Sequence, residues 1–139
     1  FFIALGIFGA LTVVSLLITV IFQEQPSVLQ NPVEFTITNP AIIPLVFLTC
    51  LVTGYREEMM FRNYFLTRCE MAGIHPVVAV SITTLLFSSG HLYQGLPGFL
   101  GTLLIGIFFS LIFYKTRNLH IIAIAHGLFN FINLLMIMQ

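Results

Sequence analysis

GFLGTLLIGIFFSLIFY (98–114), KTRN (115–118) and LHIIAIAHGLFNFINLLMIM (119–138) follow one another without interruption. The outer pieces are apolar runs of about 17 to 20 residues, the length that crosses a hydrocarbon core of roughly 30 Å. The piece between them has two cations and no apolar side chain. In lipid only a helix or a closed barrel satisfies its own backbone groups. Two runs of this length joined by four polar residues therefore predict a helical hairpin.

Working outward, a third apolar run spans about 77–92 and a further one, Ala41–Gly54, flows directly into Tyr55-Arg56-Glu57-Glu58. Residues 1–22 carry no charge and read as one more transmembrane helix. With neither a charged leading region nor a cleavage site, they do not read as a signal peptide. The chain starts at Phe1 rather than Met, so further sequence upstream is expected. Residues 23–40 form a polar connection in which Pro26, Pro32 and Pro40 are expected to break any helix. The expected architecture is all-α: a single membrane domain over 1–139, a polytopic bundle of about five helices.

Composition agrees. The chain is 58% hydrophobic and 7% charged, against roughly 25% charged in a soluble domain, and its mean hydropathy is +1.05. Ten charged side chains cannot cover a soluble globule of 139 residues. Net charge is zero with no basic run, which leaves no electrostatic footprint for nucleic acid. Cys50 and Cys69 belong to no CxxC pair and indicate neither a disulfide framework nor a thiolate metal site.

All five cations (Arg56, Arg62, Arg68, Lys115, Arg117) fall in the second-to-third and fourth-to-fifth connections, on one side of an alternating path. The opposite connections hold Glu24 and Glu34 and no base. The positive-inside rule then places residues 55–75 and 115–118 toward the cytoplasm. Arg56 and Arg62 can be lodged within the membrane, so the rule rests on the other three.

Ionisable groups inside a membrane are costly, and each is a functional hypothesis by default. Three clusters qualify. In Glu57-Glu58-Met59-Met60-Phe61-Arg62, Glu58 and Arg62 are four apart and can pair. Glu57, about 100° around a regular helix from Glu58, is left free. Phe87-Ser88-Ser89-Gly90-His91 falls inside an apolar run, and His126 and Asn130 are again four apart, with Asn133 further along the same face.

From Glu57 to the Gly73–Pro76 turn is about sixteen residues, and the return to His91 is about the same. Two helical legs rising roughly 1.5 Å per residue bring Glu57 and His91 to equal height. His126 lies about eight residues, or roughly 12 Å, beyond the 115–118 turn. It meets the other two only if the first hairpin projects further. A carboxylate, two imidazoles and an amide converging in low dielectric suit water activation and oxyanion stabilisation.

Other intramembrane protease chemistries fit less well. No aspartate exists for an aspartyl dyad, and no histidine is followed by glutamate as an HExxH zinc site requires. Ser89-Gly90 supplies half of a Gly-x-Ser-Gly setting, leaving a Ser89–His126 dyad as a weak option.

The three clusters, in order, read Glu57-Glu58-x-x-x-Arg62, Phe87-x-x-x-His91 and His126-x-x-x-Asn130. In this the sequence resembles the CPBP (Abi-like) family of intramembrane endopeptidases, which groups type II CAAX prenyl proteases with bacteriocin-processing and self-immunity proteins. The resemblance covers roughly residues 41–138 and implies a multi-pass protein of the cell membrane that hydrolyses a peptide or protein substrate. It implies that Glu57 and His91 activate water, that His126 and Asn130 form the oxyanion hole, and that Glu58 and Arg62 hold the motif helix. The family is often labelled metalloprotease, so Glu57, His91 and His126 are the candidate ligands if zinc is bound. No short-spaced ligand pair supports zinc, and glutamate-dependent catalysis is favoured. The alternatives are an immunity or scaffold protein that binds a peptide or partner helix in the same cavity, or a small proton-coupled transporter.

For the remaining residues the bland reading is kept. His75 and His120 read as interfacial, Tyr93, Asn63 and Asn133 as supporting at most, and Gly98, Gly101 and Gly106 as helix packing.

Overall fold

In the computed structural model, residues 2–21 and 39–137 are described. The expectations for Pro26, Pro32, Glu24 and Glu34 lie outside the described residues. The described part is all-helical. Helix α1 is Phe2–Ile21. Helix α2 runs unbroken over Pro40–Met71, followed by α3 at Pro76–Ser89, α4 at Gly95–Thr116 and α5 at Leu119–Ile137.

The boundaries differ from expectation for local reasons. Pro40 opens α2 instead of breaking it, in a 3₁₀ turn whose preceding Asn39 side chain accepts the Ala41 N–H at 2.9 Å. Proline is well placed in a first turn, where its missing N–H has no partner to lose. Pro97 likewise sits in the first turn of α4. The apolar run 77–92 divides: α3 stops at Ser89, and a 3₁₀ turn at Leu92–Gln94 leads into α4. His91 is therefore placed just past a helix end rather than inside one. Gly95, at φ +75°, closes that turn.

Helix α2 changes pitch along its length. Ile43–Glu58 is α-helical, Met59–Leu66 forms a π-helical segment, and Thr67–Met71 returns to α. Glu58, Arg62 and Leu66, spaced by four, are all buried. On a regular helix each step of four drifts about 40° around the axis. The wider π turn offsets that drift and keeps all three on one inward face.

Among the described residues, three helices are long and apolar enough to cross a membrane: Pro40–Met71, Leu92–Thr116 and Leu119–Met136. Helix α3, at 14 residues, reaches about 21 Å and is shorter than the core of a bilayer. Helix α5 packs against both α1 and α2, and α3 lies along α4.

Apolar side chains such as Leu16, Leu45, Val52, Leu85 and Leu111 face outward, whereas Glu58, Arg62, Thr83, Thr84, Ser88, Ser110 and His126 are buried. That distribution suits a lipid surround, where packing and polar contacts, not hydrophobic exclusion, hold helices together. Two of the buried hydroxyls bond back along their own helices, Thr83 to the Ala79 carbonyl at 2.9 Å and Ser110 to the Gly106 carbonyl at 2.8 Å.

At one end of the bundle Arg117 donates to both carboxylate oxygens of Glu70, at 2.7 and 2.6 Å. This fork ties the α2–α3 connection to the α4–α5 connection, so the two basic connections do lie at the same end. Arg117 takes a left-handed conformation (φ +50°) that stops α4.

Candidate active site

Each motif reaches the centre of the bundle through a specific packing device. Helices α2 and α5 cross at two glycines. A Cβ on Gly54 would stand 2.7 Å from the Gly127 nitrogen, and one on Gly127 would stand 2.8 Å from the Leu51 Cα. Backbone contact this close is what small residues permit. One turn beyond Gly54 come Glu57 and Glu58, and beside Gly127 comes His126. The crossing thus sets the carboxylates against the imidazole.

Glu58 is fully buried and joins two partners. Its Oε1 accepts from Arg62 Nη1 at 3.1 Å and from His126 Nδ1 at 2.7 Å. The expected Glu58–Arg62 pair is present. Arg62 also donates from Nη2 to the Gly106 carbonyl at 3.1 Å, and its guanidinium carbon lies 4.5 Å from the Phe87 ring centre. A Cβ on Gly106 would meet Thr84 Cγ2 at 2.6 Å and Arg62 Nη2 at 3.2 Å, so this glycine makes room for the arginine. The pair therefore links α2 to α3, α4 and α5.

Glu57 keeps 18% of its side chain exposed where Glu58 keeps none. Its Oε2 stands 3.6 Å from His126 Nε2 and has no hydrogen-bond donor among the described residues. An acceptor atom in that condition retains capacity for a ligand.

The two histidines are held differently. His91 Nδ1 lies 3.0 Å from the Phe87 carbonyl. A carbonyl can only accept, so Nδ1 is assigned the proton and Nε2 carries the lone pair. His126 Nδ1 faces a carboxylate; its Nε2 turns toward Glu57 and presents a lone pair when the ring is neutral or an N–H when it is imidazolium. The spacing of Phe87 and His91 is now explained: four residues on a helix bring carbonyl and imidazole together, and the rings stand 4.8 Å apart.

Glu57, His91, His126 and Asn130 line one cavity of about 700 Å³, together with Cys50, Thr102, Asn133 and, from α1, Val14 and Ile18. Tyr93, Gln94 and Asn133 border it too, but Asn63 does not. A second chamber of about 390 Å³, on the Arg56 and Phe61 side, shares Glu57, Phe87, His91 and Tyr93 with the first. The Ser89–His126 dyad is not formed: Ser89 lines neither chamber and donates to the Leu86 carbonyl at 2.8 Å. His120, read as interfacial, bonds through Nδ1 to the Tyr55 hydroxyl at 3.0 Å.

Among the described residues no three His, Cys, Asp or Glu side chains stand close enough together to share a metal ion. Glu57, His91 and His126 as placed do not form a zinc cluster.

Sequence reasoning missed Gly54 and Gly127. Their signal was available: each is the one glycine on its helix.

The family model of the type II CAAX prenyl endopeptidases, Rce1-like, matches residues 39–132. The chain belongs to this family. The match runs from the start of α2 into α5 and contains all three motifs. No curated protein and no solved structure gives a significant match. This membership makes the chain an intramembrane protease of the CAAX type in general, a helical membrane protein whose substrate is a peptide or protein.

Proposed function

We infer that this Rce1-like chain hydrolyses peptide bonds with a water molecule activated by Glu57 and His91. The observation that carries this reading is the convergence of Glu57, His91, His126 and Asn130 on one cavity, with Glu57 Oε2 lacking a donor among the described residues. The Glu57 carboxylate takes a proton from water as the oxygen attacks the scissile carbonyl. His91, with Nε2 as acceptor, shares that proton and passes it to the leaving amine. His126 in its imidazolium form and the Asn130 amide donate to the oxyanion. Glu58 orients His126 through Nδ1 and is itself held by Arg62.

The roles of the two glutamates differ by access: the buried one positions, the cavity-facing one reacts. The site works without a metal in this reading. It faces the cytoplasmic side of the cell membrane, because the basic connections gather at the end from which His126 is the shorter distance.

The test is cleavage of a quenched-fluorescent peptide library by purified protein in detergent, with metal content measured alongside. Glu57→Gln is expected to lower the rate at least about 100-fold, in the range of a lost general base, while melting as the wild type does. Activity retained in Glu57→Gln, or equimolar zinc lost with Glu57 or His91, overturns the assignment. With chemistry rate-limiting, the rate follows a bell-shaped pH profile; a flat profile across the histidine range removes His91 as proton carrier.

A further inference from the structure

His91 differs from the other motif side chains in where it stands. Glu57, Glu58, Arg62, His126 and Asn130 are carried by helices, whereas His91 follows the end of α3, in the turn that leads to α4. Among the described residues its ring has one hydrogen bond, from Nδ1 to the Phe87 carbonyl at 3.0 Å. The torsion that turns an imidazole about its Cβ–Cγ bond is broad and roughly two-fold. Turning the ring over breaks that bond and puts a ring carbon where Nε2 stood. Keeping Nε2 in place therefore calls for a second restraint.

Two aromatic rings lie against the imidazole. Phe87 is 4.8 Å away between ring centres and tilted by 55°, while Tyr93 is 6.3 Å away and within 24° of parallel. Ring pairs at such separations attract in offset-stacked or tilted arrangements. A ring lying along the imidazole plane also obstructs the sweep that turning over requires. Of the four residues that line both chambers, Tyr93 alone lies outside the three motifs.

Tyr93 is itself held, although 58% of it is exposed. The His91 carbonyl accepts the Gln94 N–H at 3.0 Å, which closes a tight turn and brings Tyr93 back against His91. The Tyr93 hydroxyl accepts from Gln94 Nε2 at 2.9 Å. Gln94 lies over Gly98, where an added Cβ would collide with the Gln94 Cβ. The glycine thus gives Gln94 its place, and Gln94 braces the phenol. We propose that Tyr93 is a positioning residue that keeps the His91 imidazole turned with Nε2 toward the attacking water. The purpose of that restraint rests on the protease reading; the restraint itself does not.

The experiment compares wild type, Tyr93→Leu and Tyr93→Phe in the purified full chain. Cleavage of several quenched-fluorescent peptides is resolved into kcat and KM. In parallel, nitrogen NMR spectra of histidine-labelled protein report the tautomer of His91, identified by the signal lost in His91→Gln. The spectra are taken at mildly alkaline pH, where ordinary imidazoles are neutral. Tyr93→Leu is expected to lower kcat at least about tenfold with KM within about twofold, because about 1 Å of misplacement can cost on the order of 100-fold. Its His91 signal should change from the Nδ1–H form to a mixture of tautomers. Tyr93→Phe keeps the ring and should stay within about threefold of wild type, with the wild-type spectrum.

An unchanged kcat and an unchanged His91 signal in Tyr93→Leu overturn the proposal. So does a loss that falls on KM or varies with the residues flanking the scissile bond, since Tyr93 is then a substrate contact. Equal losses in Tyr93→Phe and Tyr93→Leu overturn it as well, by assigning the effect to the hydroxyl. If no peptide is cleaved, the spectra decide alone. A tautomer mixture in Tyr93→Leu but not in Tyr93→Phe then upholds the restraint while the protease reading falls. Melting of both variants should match the wild type, because Tyr93 is more than half exposed.

Discussion

Two imidazoles share this cavity, and what each Nδ1 touches decides what each Nε2 can do. A carbonyl behind His91 fixes an acceptor at the front; a carboxylate behind His126 allows a donor there. Glu58 is the hinge of that arrangement because one oxygen serves both Arg62 and His126. Replacing Arg62 with Met leaves the buried Glu58 charge with His126 as its one partner among the described residues, a loss of up to about 3–5 kcal/mol, visible as a drop in melting temperature in detergent. The double variant Glu58→Gln with Arg62→Met should recover much of that stability, yet remain poorly active because His126 has lost its orienting charge. Asn130→Ala is expected to cost roughly 100- to 1000-fold in kcat, the range for one lost oxyanion donor, with melting little changed. Equal activity in that variant would take Asn130 out of the oxyanion site. The Glu58–Arg62 pair was legible in the sequence because both partners sit on one helix. Arg62 to Gly106 and Glu58 to His126 were not, since spacing says nothing about partners 44 and 68 positions away.

Among the elements, the crossing of α2 and α5 governs the site. Gly127→Ala pushes a methyl into the Leu51 backbone, where helices must separate, at a cost of about 1–3 kcal/mol. Activity should fall further than stability does, because His126 is the adjacent residue. Gly9, with open space around it, is the control: Gly9→Ala should leave both melting and cleavage unchanged. Comparable losses in the two variants would remove the crossing as the cause. The apolar runs located all five helices, and the equal-height argument brought Glu57 and His91 to one cavity. Helix ends were read less well. Pro40 and Pro97 open helices because a first turn tolerates proline, and the π segment of α2 leaves no mark in a pattern that counts only apolar positions.

For the whole molecule, the Arg117–Glu70 fork places the two basic connections together. In vesicles, with Cys50 and Cys69 replaced by serine, Gly73→Cys and Asn118→Cys should react with an impermeant thiol reagent from the same side. Labelling from opposite sides would contradict the bundle. The fork itself is half-exposed, so Glu70→Gln should cost no more than about 1 kcal/mol.

The spacing of Glu58 and Arg62 has a consequence for how the chain enters lipid. Both ions travel on the same helix, one turn apart, before α3, α4 or α5 has arrived. Helix α2 therefore carries its own counter-ion during insertion and presents the bilayer with a dipole in place of two bare charges. The contacts to Phe87, Gly106 and His126 form later, when α3, α4 and α5 close around a pair that is already neutral.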